Sequence, residues 1–174
     1  MRKNPDTILA LDPGLRELGY AVLSGKRLLI SGVLSLRAVP PRRRLRSVEE
    51  SLGAWNRAYH PRVLVLESIP KRPLDTIAGL PALGRLLRSF ARNRRIKMSA
   101  YSAKTVRRAI VGNGWAGKRQ VAEAIAARFP DLRVHLKQTT KGRQSYWANM
   151  FDAIALALYH QSLDQPPSRS RFSD

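Results

Sequence analysis

Residues 7–14 read TILALDPG, and they decide the fold that we expect for this chain. Apolar residues lead up to Asp12 and Pro13-Gly14 follows it at once, which is typical of a buried β-strand ended by a tight turn. The first strand is therefore predicted to end in a carboxylate. Residues 63–67 read VLVLE and repeat the pattern, with Glu67 at the end. An uninterrupted apolar run of this kind predicts a strand covered on both faces in an α/β sheet.

Three further strands are predicted from shorter patterns. Residues 19–23 and 28–36 have the composition of strands, and Ser24-Gly25-Lys26 between them suits a hairpin turn. Together with the first strand they form an antiparallel meander in the simplest arrangement. Residues 96–100 predict one more short strand.

The expected fold class is α/β, with a central mixed five-stranded sheet flanked by helices. Its first three strands are expected to be antiparallel and the later ones parallel. If the first and fourth strands lie side by side in parallel, Asp12 and Glu67 point into the same crevice, because ligand sites form at the carboxyl ends of such strands. The expected domain covers residues 1–163, and residues 164–174 have the composition of a disordered basic tail.

Two helices are predicted in the first half of the chain. Pro40-Pro41 breaks the chain, and Ser47 is predicted to cap a helix that runs to about Tyr59. Residues 83–90 predict an amphipathic helix with a basic outer face. Subunit contacts are expected on the apolar side of this second helix and on its neighbours.

Three helices are predicted in the second half. One starts at Ser102 or Thr105, and a glycine-rich loop at residues 112–114 separates it from a helix at residues 117–129. Residues 131–145 are polar and basic and predict a mobile connection. Residues 146–160 predict a final helix rich in alanine, leucine and isoleucine.

The composition points to a polyanionic partner. The 174 residues contain 32 Lys and Arg against 12 Asp and Glu, a formal net charge of +20. Arginine dominates this set, and its planar fork suits phosphate oxygens. No long amphipathic segment pairs the charge with exposed aromatics, and no apolar run approaches the ~20 residues that cross a bilayer, so we expect a cytoplasmic protein.

Cysteine is absent, which excludes disulfides and thiolate zinc sites. Any metal must then be held by carboxylate, amide, imidazole or water, a ligand set that suits magnesium or manganese. Asp152 lies within an almost wholly apolar helical pattern, and Asn149 precedes it by one helical turn. Asp12, Glu67, Asp152 and Asn149 together form an oxygen cage that suits one or two divalent ions for phosphodiester hydrolysis. Taken singly, each acid could instead cap a turn or pair with one of the many cations.

Four motifs resemble those of RuvC-type Holliday junction resolvases, in the family's order and over nearly the whole chain up to about residue 161. Residues 8–14 with 18–22 resemble its opening DPG and GY motif. Residues 65–67 look like its second acidic strand. Residues 106–114 followed by Lys118 resemble its VKxxVxGxGxAxK stretch, and residues 152–160 resemble its DALAxAxxH helix. The resemblance implies an RNase H-like fold, a homodimer, and paired nicks of opposing strands at a four-way junction.

The resemblance also implies roles for single residues. Asp12, Glu67 and Asp152 fall on three of the family's four metal-ligand positions and are the predicted catalytic acids. Asn149 falls on the fourth, which is usually acidic, so we predict weaker metal affinity, with manganese as a candidate for the preferred ion. Lys118 falls on a family position implicated in catalysis, where an ammonium stabilises charge that develops on the scissile phosphate.

Basic side chains, one amide and one aromatic form the predicted DNA contacts. The predicted set comprises Lys71, Arg72, Lys104, Arg107, Arg108, Asn113, Trp115 and Lys118. Family members tend to place an aromatic shortly after the second acid, whereas this chain has Ser68-Ile69-Pro70-Lys71 there. The stacking role of that aromatic must therefore be absent from this chain or be taken by a residue elsewhere. Trp115, held between glycines, is a candidate base platform, although it could instead pack on its own helices.

The predicted function is resolution of four-way junctions by Mg²⁺-dependent hydrolysis, with two ions in each active site and Mn²⁺ able to replace Mg²⁺. Branched DNA, a second copy of the chain and a branch-migration helicase are the expected partners. Two alternatives stay open. One is a RuvC-like nuclease with relaxed preference for flaps and forks, and the other is a junction-binding protein whose nuclease is weakened by Asn149.

Overall fold

A mixed five-stranded sheet organises the residues that the structure describes. The structure is a computed structural model and describes residues 6–68, 79–137 and 144–163. The strands are β1 (Thr7–Asp12), β2 (Glu17–Ser24), β3 (Arg27–Ser35), β4 (Val63–Glu67) and β5 (Lys97–Tyr101). Their order is β3-β2-β1-β4-β5; β1 to β3 are antiparallel, and β1, β4 and β5 are parallel. The predicted sheet is confirmed.

The register of the sheet brings the two strand-end acids to the same edge. The last Cα pair between β1 and β4 joins Leu11 to Leu66, and the next residue of each strand is Asp12 and Glu67. On the other side of β1, Asp12 pairs with Gly19 of β2. The carboxyl ends of two neighbouring parallel strands therefore each carry an acid, as the apolar runs predicted.

Helices cover both faces of this sheet. Their bounds are α1 (Pro41–Tyr59), α2 (Leu80–Asn93), α3 (Ala103–Val111), α4 (Lys118–Arg128), α5 (Arg133–Lys137) and α6 (Gln144–Leu163), with a 3₁₀ turn at Pro130–Leu132. Ser102 caps α3, because its Oγ accepts a hydrogen bond from the Thr105 N–H at 3.2 Å. Of the two predicted starts for this helix, Ser102 is correct.

The predicted start of α1 at Ser47 is wrong. The helix begins at Pro41 with Pro40 at the N-cap position, about two turns earlier. Proline suits a first helical position because its φ is already helical and its missing N–H needs no partner there. Arg44 secures this start, since its Nε donates to the carbonyls of Leu36 at 3.1 Å and Val39 at 3.0 Å.

The prediction of a mobile connection over residues 131–145 is wrong for its first part. The 3₁₀ turn and α5 occupy residues 130–137, and α6 already begins at Gln144. Two apolar side chains explain why residues 130–137 are folded: Leu132 is buried, and Leu136 packs against the same core. Residues 138–143 and the predicted tail at residues 164–174 lie outside the described residues.

Two apolar clusters lie on opposite faces of the sheet. The first, called here the α6 face, joins β-strand residues such as Ile8 and Val65 to α3, α4 and α6. The second, called here the α2 face, joins Leu9 and Leu64 to α1 and α2. Alternation of side chains along each strand produces this division. Both faces of the parallel strands are therefore covered, which accounts for their uninterrupted apolar sequences.

Helix α2 uses its apolar stripe within this one chain. Leu83, Leu87 and Phe90 are all buried against the sheet. These three side chains lie in the core of their own chain, so a subunit contact on α2 would use its other residues. The expected subunit contact on this helix and its neighbours stays a prediction. The side of α2 that remains open carries Arg85, Arg88 and Arg92. In the described part of the chain, no helix has the length and apolar content that crossing a bilayer requires.

Candidate active site

Three carboxylates converge at the carboxyl end of β1 and β4. Asp12 and Glu67 end these two strands, and Asp152 projects from α6, where its side chain is only 11% exposed. The electrostatic coupling among them shows that they share one site: Asp152 and Glu67 both act on Asp12, and Asp152 acts on Glu67. The three acids predicted to act together do lie together.

A glycine lets α6 come close enough to place Asp152. A Cβ built on Gly19 would lie 1.9 Å from the carbonyl oxygen of Asn149 and 3.0 Å from its Cβ. No other residue fits at Gly19 without moving the helix, because contacts this short are strongly repulsive. Gly19 pairs with Asp12, so this backbone contact fixes α6 directly beside the first acid.

Burial and mutual repulsion make the three acids harder to ionise. Burial, with the charges of Asp152 and Glu67, raises the pKa of Asp12 from 3.8 to about 7. Burial and the Asp152 charge raise the pKa of Glu67, and burial raises the pKa of Asp152. Ionised carboxylates in such a site need a positive counter-charge, so the cluster is poised to bind cations.

Two cationic side chains already face the acids. Lys118, the first residue of α4, places its Nζ 3.5 Å from Oδ2 of Asp152. Arg107 of α3 lowers the pKa of all three acids, as does Lys118, which opposes the effect of burial. The Nε of Arg107 is buried and has no hydrogen-bond partner among the described residues. Both were predicted as phosphate or catalytic contacts, and both lie at the acids.

Asn149 lies on the same side of α6 as Asp152, one turn earlier. Its backbone is the group that contacts Gly19, which places it next to the end of β1. An amide oxygen can ligate a hard cation but contributes no charge. Asn149 thus lies where a fourth metal ligand could bind the ion, but its side chain is neutral.

The donor set fits a hard divalent ion, although the side chains do not form a finished cage. Within residues 6–68, 79–137 and 144–163, no three acidic, histidine or cysteine side chains stand close enough to chelate one ion as they are. Mutual repulsion among the acids and the attraction of Asp152 to Lys118 both keep the three carboxylates apart. Rotation of the three side chains toward a shared cation would complete the site. Carboxylate and amide oxygens are the ligands that Mg²⁺ and Mn²⁺ prefer.

Most of the predicted DNA contacts lie on α3 and on the loop that follows it. Lys104 and Arg108 are exposed on α3, and Asn113 and Trp115 are exposed in the loop before α4. The ammonium of Lys104 lies 4.1 Å from the centre of the Trp115 ring. The predicted contacts Lys71 and Arg72 lie outside the described residues.

Two positioning features escaped the sequence analysis. The first is the Gly19 contact, which a glycine inside a strand pattern could have signalled. The second is a hydrogen bond of 2.7 Å between the Tyr101 hydroxyl and Nδ1 of His160. Tyr101 pairs with Glu67 across β4 and β5, so this bond ties α6 to the edge that carries the second acid. No sequence pattern links these two distant residues.

Solved structures with this fold include two resolvases. The structure named "T. thermophilus RuvC in complex with Holliday junction substrate" is 20% identical, covers 90% of this chain and 96% of its own, and has a TM-score of 0.68. The yeast mitochondrial Holliday junction resolvase is 14% identical, covers 88% of this chain and 77% of its own, and has a TM-score of 0.60. At this identity the likeness shows a shared RNase H-like fold.

Relatives found by amino-acid sequence cover about the same share of this chain as these structures do. Relatives named crossover junction endodeoxyribonuclease RuvC from Mycobacterium leprae and Marinobacter nauticus are each 29% identical, over 88% and 91% of this chain and 80% and 87% of their own lengths. The family model described as "Crossover junction endodeoxyribonuclease RuvC" matches residues 8–160 and so spans every described element from β1 to most of α6. The chain therefore belongs to the RuvC family of crossover junction endodeoxyribonucleases.

Proposed function

We propose that this protein resolves four-way DNA junctions by hydrolysing phosphodiester bonds at the site formed by Asp12, Glu67 and Asp152. The observation that carries the proposal is the coupled acid cluster at the end of β1 and β4. Burying acids that raise one another's pKa is costly unless they bind cations. Family membership and the shared fold support the same activity.

The acids would hold one or two divalent ions, with Mg²⁺ as the expected ion and Mn²⁺ as an alternative. Asp12, Glu67 and Asp152 supply charged ligands, and Asn149 supplies a neutral one. Ions bound there would neutralise charge on the scissile phosphate and make an attacking water more acidic. In the reaction a water oxygen forms the new bond to phosphorus, and the bond from phosphorus to the leaving sugar oxygen breaks.

The basic side chains of the site have separate tasks. Lys118 can stabilise negative charge on the phosphate because its Nζ already lies 3.5 Å from Asp152, at the rim of the acid cluster. Arg107 offers a buried Nε with no partner among the described residues, and a phosphate oxygen is the acceptor that a guanidinium prefers. These two groups hold the strand, while Asp12, Glu67 and Asp152 position the cations.

Affinity for DNA is expected to come mainly from phosphate contacts. The net charge of +20 and the exposed cations on α3 and in its following loop provide these contacts without reading sequence. Selectivity for a junction would then depend on the shape and deformability of the DNA. The homodimer, the helicase partner and the cytoplasmic location predicted from the sequence belong to this proposal.

The test compares a synthetic four-way junction with a matched linear duplex. Wild type and Asp12→Asn would each be incubated with both substrates in Mg²⁺ and in Mn²⁺. We expect paired nicks on the junction and none on the duplex with wild type, and no cleavage with Asp12→Asn. A flap and a fork included as further substrates measure whether the preference is relaxed.

Other outcomes would replace the proposal. Equal cleavage of junction, flap and fork would make the protein a general nuclease for branched DNA. Tight junction binding with no cleavage in either metal would make it a structure-specific binding protein. The neutral side chain of Asn149 is the feature that would explain this second result, because it leaves the site one negative charge short of four acids.

A further inference from the structure

Trp115 is the most exposed large apolar side chain in the described part of the chain. It is 79% exposed, whereas the other exposed large apolar residues range from Leu29 at 36% to Leu163 at 55%. Exposing an indole to water is unfavourable because its apolar area is large. Two explanations are open: Trp115 binds a partner, or its loop holds the ring where it cannot be buried.

The loop around Trp115 is held in place on both sides. The Trp115 N–H donates to Oδ1 of Asn113 at 2.9 Å, and the Ala116 N–H donates to the carbonyl of Asn113 at 3.2 Å. Gly114 is buried against α3, where an added Cβ would lie 2.9 Å from Cγ and 3.0 Å from the carbonyl of Lys104. Ala116 is buried in full. The indole is thus presented to solvent by a fixed backbone.

A cation covers one side of the ring. The Nζ of Lys104 lies 4.1 Å from the ring centre, which is a cation–π contact. With the residue 79% exposed, the opposite face of the ring is open. A flat aromatic surface backed by a positive charge suits a flat, electron-rich partner that carries negative charge nearby.

The position of the Trp115 ring relative to the acids restricts the kind of partner that it can bind. Trp115 precedes Lys118 by three residues, which separates their Cα atoms by at most about 11 Å, and Lys118 contacts Asp152. Lys104 lies one helical turn before Arg107, which acts on all three acids. The platform formed by Trp115 and Lys104 therefore lies next to the acid cluster, along a surface lined by cations.

We propose that the open face of Trp115 stacks on an unpaired nucleobase of the DNA strand bound at the acid cluster, with Lys104 stabilising the ring from behind. The proposal rests on the proposed function, because it takes branched DNA to be the substrate. The base pairs at the exchange point of an open four-way junction lack a stacking neighbour on one side, so a base there costs less to unpair, and an aromatic face binds any base without reading its sequence. The adjoining cations would hold the phosphates on either side of that base.

The experiment measures junction affinity in a chelator, so that binding is separated from cleavage. Wild type, Trp115→Ala and Trp115→Phe are each titrated against an intact junction and against one with abasic nucleotides at the exchange point. Leu163→Ala, which shortens another exposed apolar side chain, is the matched control. Loss of one stacked base lowers affinity by about tenfold, so we expect this loss for Trp115→Ala on the intact junction and for wild type on the abasic one.

On the abasic junction, Trp115→Ala and wild type should bind alike, and Trp115→Phe should keep most of the affinity for the intact junction. Binding by Trp115→Ala equal to that of wild type would overturn the proposal. An equal loss on both junctions would do so too, since it would indicate a contact with the backbone. A change in sedimentation without a change in DNA affinity would assign Trp115 to a subunit contact instead. Cleavage by wild type in Mg²⁺ or Mn²⁺, measured separately, tests the proposed function, so the two can fail independently.

Discussion

The two faces of the sheet are covered by helices of different kinds. On the α6 face, α6 is apolar almost all round, with residues 153–158 buried, and it carries Asn149 and Asp152. On the α2 face, α2 buries one stripe and directs arginines to solvent. The third acid of the cluster thus sits on a largely buried helix, whereas the arginines of α2 sit on a helix side that water reaches.

The difference separates residues that depend on packing from residues that do not. Asp152 can reach Asp12 only because the α6 backbone touches Gly19. The arginines of α2 need no such contact, because water solvates them wherever the helix places them. Substitutions where α6 meets Gly19 should therefore change activity and folding together, whereas substitutions of the exposed α2 arginines should change little of either.

The largest effect on cleavage is expected when an acid of the cluster loses its charge, as in Asp152→Asn. Removing this charge from the acid cluster takes away several kcal/mol of transition-state stabilisation, so junction cleavage should fall on the order of 10³-fold. Glu49→Gln, at an exposed acid on α1, is the matched control and should cleave as wild type does. The measurement is the single-turnover cleavage rate on a four-way junction. Comparable cleavage rates for both variants would show that Asp152 takes no part in catalysis.

Gly19→Ala should be the most disruptive change outside the acids. The new methyl group would lie 1.9 Å from the Asn149 carbonyl, so α6 must move, and overpacking of this kind costs about 3 kcal/mol of unfolding free energy. Cleavage should fall with it because Asp152 moves away from Asp12. The matched change is Gly53→Ala in α1, where the nearest heavy atom is the flexible end of Arg57 at 3.4 Å. That variant should gain up to about 1 kcal/mol, as alanine does inside helices. Denaturant titrations of the two variants measure whether each change lowers or raises the free energy of unfolding.

Asp12→Asn should stabilise the metal-free protein while it abolishes cleavage. The pKa of Asp12 is raised to about 7, so between pH 4 and pH 7 the folded state binds more protons than the unfolded state. Stability of wild type then falls as pH rises through this window, and asparagine escapes the loss. We expect a gain of about 4 kcal/mol at pH 8 and none below pH 4.

Thermal unfolding in a chelator at several pH values measures this gain. Added Mg²⁺ should reverse the order, because a cation bound to the folded state stabilises wild type more than the variant. A variant that is less stable than wild type at pH 8 without metal would contradict the view that burial and repulsion raise the pKa of Asp12.

Asn149→Asp tests the neutral position on α6. A fourth carboxylate beside Asp12 and Asp152 should tighten divalent-metal affinity by about tenfold, since one more charge acts on the ion at short range. Isothermal titration with Mg²⁺ and Mn²⁺, together with cleavage rates, gives the answer. Equal affinity and rate in wild type and variant would show that Asn149 does not ligate the ion.

The smallest effect is expected for Arg85→Ala on the outer side of α2. Surface changes of this kind alter the free energy of unfolding within about 0.5 kcal/mol. If Arg85 contacts one phosphate, junction binding should lose about one unit of its salt-dependence slope. Arg107→Ala, on the α6 face, should weaken binding more because its side chain, with a buried Nε, acts on the acids. A larger loss for Arg85 would reverse the comparison of the two faces.

Local patterns predicted most of the architecture. Apolar runs that end in acids located β1, β4 and their carboxylates, and the hairpin turn at Gly25 was also correct. The failures came where local signals competed. Ser47 looked like a helix cap, but proline geometry and the Arg44 hydrogen bonds start α1 earlier. Residues 130–137 looked like a polar connection, yet Leu132 and Leu136 were enough to fold them against the core.

The sequence by itself determined which residues end the strands, because the order of apolar and acidic residues along one strand is a local property. It also determined that α6 is buried. It could not determine how closely α6 approaches the sheet, since the apolar residues around the rest of the helix specify no single contact. Tertiary structure made that choice through the contact between Gly19 and Asn149, which allows one approach of the helix to the sheet and thereby brings Asp152 to Asp12 and Glu67.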